Sequence, residues 1–346
     1  MNARKRGLLL VNLGTPDEPT TSSVRTYLAQ FLADPRVLDI NAAGRWLLLH
    51  GIILRTRPAK SAEAYRKIWT ERGSPLKFHS VDLTARVQEA LGDGWVVRLG
   101  MRYQNPSIEA ALDELRAAGC DQVMLFPLYP QYSAASNGSS VEEVFRVARE
   151  KWVVPDVTTV GAFYDQPDFI RAFAEVGRVA IAAERPDHVL MSFHGLPERH
   201  MTKAAPDSPK CLKVDDCCAS IREDNRHCYR AQCYATARAL AAALGLGPEA
   251  YSVSFQSRLG RDPWIRPHTD VVVPELARAG KKRMVVFCPA FVADCLETLE
   301  EIGMRASDDF RAAGGEKLTL VPSLNSSPTW VDAVVRMVRA NAPAGA

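Results

Sequence analysis

The sequence predicts an α/β protein of two lobes, each built from βαβ units around a parallel sheet and related by a diverged duplication. Three observations carry this expectation. The chain has 346 residues, too many for one typical core, and suggests two domains of roughly 150 residues each. Short apolar runs alternate with stretches of helical period. The order of these elements, with its punctuation, occurs twice.

In the first half, residues 7–13 (GLLLVNL) form an apolar run that breaks at Gly14-Thr15-Pro16, which reads as a buried parallel strand entering a loop. Residues 95–99 (WVVRL) predict a second strand. A helix follows with Ile108, Ala111, Leu112 and Leu115 on one face, capped at Asn105-Pro106 and ended by Gly119. The next strand is 122–126, stopped by Pro127.

The second half repeats the order. Residues 188–193 (HVLMSF) break at Gly195-Leu196-Pro197, a strand is expected over 251–255, and a helix around Val272 and Leu276 ends at Gly280. The strand 284–287 then stops before Pro289. Strand-end loops would line a crevice between the lobes, where open α/β sheets normally bind ligands. The loops at His194 and after Pro127 and Pro289 are therefore the places to seek a site.

Composition narrows the function. The chain is 47% hydrophobic and 24% charged, as in ordinary globular proteins, and its net charge of +3 lacks the basic stripe of a nucleic-acid binder. Neither lobe carries a Gly-x-Gly-x-x-Gly turn or a Walker lysine, so no nucleotide cofactor is expected. No apolar run reaches the ~18 residues of a membrane span, and residues 1–7 lead straight into the first strand, so a cytoplasmic protein is expected. Residues 46–54 (WLLLHGIIL) open on Trp46, close on Leu54, and are flanked by Arg45, Arg55, Arg57 and Lys60. Two readings stand: a buried helix, or an apolar patch on an anionic membrane surface.

Two features carry chemistry. His194 stands at a strand terminus before a turn, where a histidine is placed to work as well as to pack. Residues 294–304 (DCLETLEEIGM) read as a helix on which Asp294, Glu297 and Glu301 fall within about 60° of one another, with Leu296, Leu299 and Ile302 opposite. Such a face is either a solvated acidic surface or, beside His194, a group that binds a divalent metal or moves protons.

Eight blocks resemble, in order, the motif set of ferrochelatases: VNLGTPDEP (11–19), FLADPRVLDI (31–40), GSPL (73–76), MRYQNP (101–106), FPLYPQYSAAS (126–136), SFHGLPERH (192–200), SFQSRLGRDPWIRP (254–267) and FVADCLETLEEI (291–302). The resemblance covers nearly the whole chain. It implies two Rossmann-like lobes of class II chelatase type, here 1–165 with the membrane-lip segment and 166–346 with a cysteine-rich insertion at 205–233. It also implies a lyase that inserts ferrous iron, as substrate, into protoporphyrin IX in the last step of haem synthesis. Insertion releases two pyrrole protons, so a base must face the macrocycle, and neutral imidazole suits that task. By resemblance His194 accepts the protons, Glu297 shuttles them or binds metal, and Asp294 and Glu301 extend a path for metal or protons. The metal set is then His194, Glu297, Asp294 and Glu301. Leu13 and Trp264 would contact the ring, with Arg102, Tyr103, Tyr129, Gln131, Tyr132 and Ser133 lining the pocket or anchoring propionates. WLLLHGIIL falls at the family's apolar lip. Cys295 departs from members that place a second histidine there, and reads as a small buried side chain.

Cys211, Cys217, Cys218, Cys228 and Cys233 lie within 23 residues, at separations of 6, 1, 10 and 5. A disulfide framework does not suit a large cytoplasmic protein, and no C-x-x-C pair of a zinc site is present. Four of these thiolates would hold a 2Fe-2S cluster, as some ferrochelatases do through cysteines near the C-terminus, where this chain reads NAPAGA. Cys211, Cys228, Cys233 and one of the adjacent pair form the expected set. The rival readings are coproporphyrin as substrate, a cobalt or nickel chelatase, a non-catalytic binding protein and an iron-sulfur sensor.

Overall fold

The computed structural model describes residues 5–258 and 262–342, so the middle of the 254–267 motif, residues 259–261, lies outside the described residues. The strands are β1 (Arg6–Gly14), β2 (Trp95–Tyr103), β3 (Gln122–Pro127), β4 (Asp156–Thr159), β5 (His188–His194), β6 (Tyr251–Gln256), β7 (Arg283–Phe287) and β8 (Lys317–Leu320). One sheet has the order β2-β1-β3-β4 and the other β6-β5-β7-β8, with every pair parallel. The two orders are the same permutation, as a duplication requires.

Burial explains the apolar runs. Leu8, Leu9, Leu10 and Val11 in β1, and Leu190, Met191 and Phe193 in β5, have no exposed surface, because each strand is paired on both edges and covered on both faces. The edge strands β4, mostly exposed, and β8, partly buried, carry only four residues each, too short and too polar for periodicity to mark them.

The helix Ile108–Ala117 buries Ile108, Ala111, Leu112 and Leu115 against Val123, Leu125 and Val144. Its cap is Ser107, whose side chain accepts from the Ala110 amide, rather than the expected Asn105-Pro106. The Pro106 carbonyl is instead taken by the Met101 amide at 2.6 Å. In the second sheet the Pro267 carbonyl accepts from the Phe255 amide at 2.8 Å in the corresponding place, ahead of the helix Thr269–Arg278. Gly119 and Gly280 follow these helices at φ 82° and 92°, a conformation that favours glycine.

The chain divides into two compact units: Met1–Tyr129, Ala134–Gly161 and Ser326–Ala346 form the first, and Pro130–Ser133 with Ala162–Asn325 the second. The span 166–346 therefore yields its last helix, Pro328–Asn341, to the first unit. Trp330, Val331, Val334, Val335 and Val338 of that helix are buried, and it packs on the helix Pro75–Leu91. An apolar face follows the surface that buries it, whatever the chain order.

Candidate functional site

In the second unit β5 carries His194 to its C-terminal end, where the ring is half-buried. His194 Nδ1 lies 2.6 Å from the carbonyl oxygen of Gly195. A carbonyl only accepts, so Nδ1 carries the proton, and in neutral imidazole the lone pair is left on Nε2. The ring meets Phe291 edge-on at 6.3 Å between centroids. The loop is held from outside: the Gly195 amide donates to the Gln256 carbonyl, the Ile265 amide to Leu196, and Trp264 bridges to Pro197. A Cβ on Gly195 would stand 2.7 Å from the Gln256 oxygen and 3.3 Å from the Trp264 ring, which is why this turn takes glycine.

The carboxylate helix differs from the expected one. Asp294 precedes it, and from Glu297 to Ala306 the backbone is π-helical, with the wider i→i+5 turn often found at functional sites. The three carboxylates therefore do not share one α-helical face. Asp294 is buried and its oxygens are occupied: Oδ1 accepts from the Ser323 amide and the Thr298 hydroxyl, and Oδ2 from Asn325 Nδ2 at 2.8 Å. Glu301 accepts from both the amide and the hydroxyl of Ser257. Glu297 is half-buried and hydrogen-bonds the Cys295 thiol, which burial pushes well above the usual thiol range. Cys295 is the small buried side chain expected. Among the described residues no three His, Cys, Asp or Glu side chains are grouped to hold a metal ion, so His194, Asp294, Glu297 and Glu301 do not form a preassembled set.

Sequence reasoning missed the residue that joins the histidine strand to the π-helix. Gln256 pairs with His194 in the sheet register; its amide accepts from Ser192 Oγ at 2.7 Å and donates to the Glu297 carbonyl at 2.8 Å. A lone glutamine at a strand end gives no periodic signal.

The expected porphyrin contacts separate into groups. In the first unit Leu13 is half-buried at the end of β1. Arg102 and Tyr103 are spent internally: Arg102 Nη2 and the Tyr103 hydroxyl both donate to Oδ2 of buried Asp34, at 2.8 and 2.9 Å, and Arg102 Nε donates to Ser139. Burial and the Asp34 charge raise the Tyr103 phenol. The Tyr129 hydroxyl, raised by burial, accepts from Ser140. In the second unit buried Gln131 donates to Thr236, the Tyr132 amide donates to Gln232, Ser133 is buried, and Trp264 is half-buried beside Gly195.

The thiols of the second unit also assort. Cys217 and Cys218 lie 3.6 Å apart, and the side chains of Cys211 and Cys218 both hydrogen-bond to Cys228. The hydrogen bond from Cys218 holds the Cys228 thiol below its usual range, while burial raises Cys211 and Cys217. Arg230 Nη1 reaches Cys218 at 3.2 Å and Cys217 at 3.7 Å. Cys233 is fully buried on the helix Tyr229–Leu244 and hydrogen-bonds Tyr229, with Cys218 close enough to raise its thiol further. A turn rather than a regular element carries Cys217 and Cys218, which leaves both side chains free to face inward.

The family model described as ferrochelatase matches residues 5–342. The chain belongs to the ferrochelatase family. Iron insertion into protoporphyrin for haem synthesis is the activity that this membership supports. A ferrochelatase of Coxiella burnetii is 46% identical over 338 residues, 98% of this chain and 94% of that protein. One from Legionella pneumophila is 45% identical over 334 residues, 96% of this chain and 98% of that protein. Among solved structures, SirB from Bacillus subtilis with Fe3+ aligns at a TM-score of 0.55 and 13% identity, covering 98% of this chain and 96% of that chain. The sirohydrochlorin chelatase SirB of Bacillus subtilis subspecies spizizenii, in complex with cobalt, gives 0.54 at 12% identity, covering 98% and 95%. At these identities the likeness bears on the fold, which this family member shares with the chelatases.

Proposed function

We propose that this ferrochelatase, a lyase, inserts ferrous iron into protoporphyrin IX, with His194 Nε2 accepting the pyrrole protons and Glu297 passing them on or holding the metal. The observation that carries the assignment is the 2.6 Å hydrogen bond from His194 Nδ1 to Gly195, which leaves Nε2 as the acceptor. Each metal entering the ring displaces two protons, and one imidazole takes them one at a time if a neighbouring carboxylate clears it between transfers. Mixed imidazole and carboxylate ligation suits a ferrous ion that must leave for the porphyrin. Asp294 and Glu301 serve the framework, since their oxygens are already hydrogen-bonded. Trp264, beside Gly195, is the proposed ring contact of the second unit, with Tyr132 lining the pocket.

Cys211, Cys217, Cys218 and Cys228 are the four thiolates proposed to hold a 2Fe-2S cluster, with Arg230 offsetting part of their charge; among the described residues they are not grouped as a metal site, so they would have to rearrange to take one. The thiols bond to one another as they stand, so binding would exchange those contacts for iron. The bound group would cross-link the insertion 205–233, because folding and metal binding are coupled. Cys233 is outside the set. Trp46, Leu47 and Ile52 are exposed beside buried Leu49, Ile53 and Leu54, the pattern of a peripheral membrane contact for a cytoplasmic enzyme. No helix among the described residues is long and apolar enough to cross a membrane.

The test is anaerobic iron insertion followed by porphyrin absorbance. Wild type is expected to turn over, and His194→Ala to lose about 10²–10⁴-fold in kcat while folded. Glu297→Gln is expected to lose activity with its thermal midpoint intact, whereas Asp294→Asn, which sets a donor against either Ser323 or Asn325, lowers stability by about 1–3 kcal/mol. A wild type that accepts only coproporphyrin overturns the substrate, and an active His194→Ala overturns the base.

A further inference from the structure

The helix Tyr229–Leu244 starts directly after Cys228, and its first two residues reach different partners. The Tyr229 hydroxyl, buried, donates to the main-chain oxygen of His194 at 2.9 Å. Arg230 turns to the thiols, 3.2 Å from Cys218 and 3.7 Å from Cys217, and its ring partner is Tyr234 at 5.0 Å. The same guanidinium donates through Nε and Nη2 to the Arg266 carbonyl, each at 3.3 Å, and the neighbouring Ile265 amide donates to Leu196 at 3.0 Å. One helical turn thus reaches the His194 carbonyl through Tyr229, and the thiols and the Arg266 carbonyl through Arg230.

Neither contact is needed to build the sheet, whose register at His194 is set by Gln256. A buried phenol that donates to the backbone of one residue, and is itself held by the Cys233 thiol, helps to fix where that residue's peptide sits, and so where its imidazole points. We propose that Tyr229 and Arg230 are positioning residues for iron insertion, transmitting the state of the Cys211, Cys217, Cys218 and Cys228 group to the main chain of His194. This rests on the reading of His194 as proton acceptor. A change at the thiols that moves the Arg230 side chain moves the first turn of its helix and the Arg266 carbonyl together, and both are tied to the histidine loop.

The experiment is a double-mutant cycle in the full-length protein, read in two ways. Cys218→Ser perturbs the thiols, and Tyr229→Phe removes the hydroxyl while keeping the ring. With histidine labelled at Cε1, the His194 signal at one fixed pH, assigned by its absence from His194→Ala, reports the imidazole without turnover. Cys218→Ser is expected to shift that signal in the Tyr229 background and to leave it in place in the Tyr229→Phe background. Tyr229→Phe alone is expected to lower kcat about five-fold, the worth of one hydrogen bond, with the KM for porphyrin unchanged. Arg230→Gln replaces Tyr229→Phe if the latter does not fold, with the same loss of coupling expected. An equal shift of the signal in both backgrounds overturns the inference while iron insertion stands. Coupled signals in a protein that inserts no iron would overturn the assigned reaction and leave the link between thiols and His194.

Discussion

His194 Nδ1 donates to the carbonyl oxygen of Gly195, the next residue in the chain, at 2.6 Å. So short a loop bond sets the tautomer and the direction of Nε2 at once. Asparagine can keep the donor at the Nδ1 position but offers no lone pair where Nε2 stood. His194→Asn is therefore expected to hold its thermal midpoint near that of wild type and be as inactive as His194→Ala, while His194→Ala also loses about 0.5–1.5 kcal/mol of stability. Denaturant unfolding beside turnover separates the two effects; an active His194→Asn would remove the imidazole from the chemistry.

The Asp34–Arg102 pair makes a different demand. Asp34 is 6% exposed, and one of its oxygens takes Arg102, Tyr103 and Ser139 together. Removing the carboxylate leaves Arg102 only its longer pair with Glu143 at 3.9 Å and takes the acceptor from Tyr103 and Ser139, so Asp34→Ala is expected to cost about 1–3 kcal/mol. Differential scanning calorimetry should find the loss. An unchanged midpoint with a raised KM for porphyrin would return Arg102 to the substrate.

Burial holds His188 below the usual imidazole range, and its Nδ1 is buried with no hydrogen-bond partner. The unfolded chain therefore binds a proton there more readily than the fold does, and stability rises with pH where the two states differ. As pH falls through about 6.5, the unfolded-state value, towards the lower folded one, the protein should lose stability. His188→Gln is expected to flatten this part of the curve while keeping a donor for Ser252, 2.8 Å from Nε2 in the fold. Urea midpoints at pH 7.5 and 5.5 provide the comparison, and parallel curves would rule the residue out.

Trp46 and Leu47, each 64% exposed, make a concrete surface test. Sedimentation with vesicles containing anionic lipid is expected to carry down the wild type and to lose most of it in Trp46→Ser/Leu47→Ser, with iron insertion from detergent-dispersed porphyrin retained. Equal sedimentation of the two proteins would leave the patch without this role.

Features written in local pattern were legible before folding was considered. Buried parallel strands such as β1 and β5 show as unbroken apolar runs, the helix Ile108–Ala117 shows by its period, and the repeated Gly-x-Pro breaks disclose the duplication. His194 was legible because a strand end and a motif coincide on it. Which partners each polar atom finds is settled by long-range packing. Asp294 and Glu301 look like Glu297 in sequence, but partners 29 to 44 residues away occupy their oxygens. Arg102 and Tyr103 are drawn inward by Asp34, 68 and 69 residues before them. Periodicity reports which side of an element is apolar; hydrogen-bond saturation is settled by residues distant in the chain, which meet only after folding.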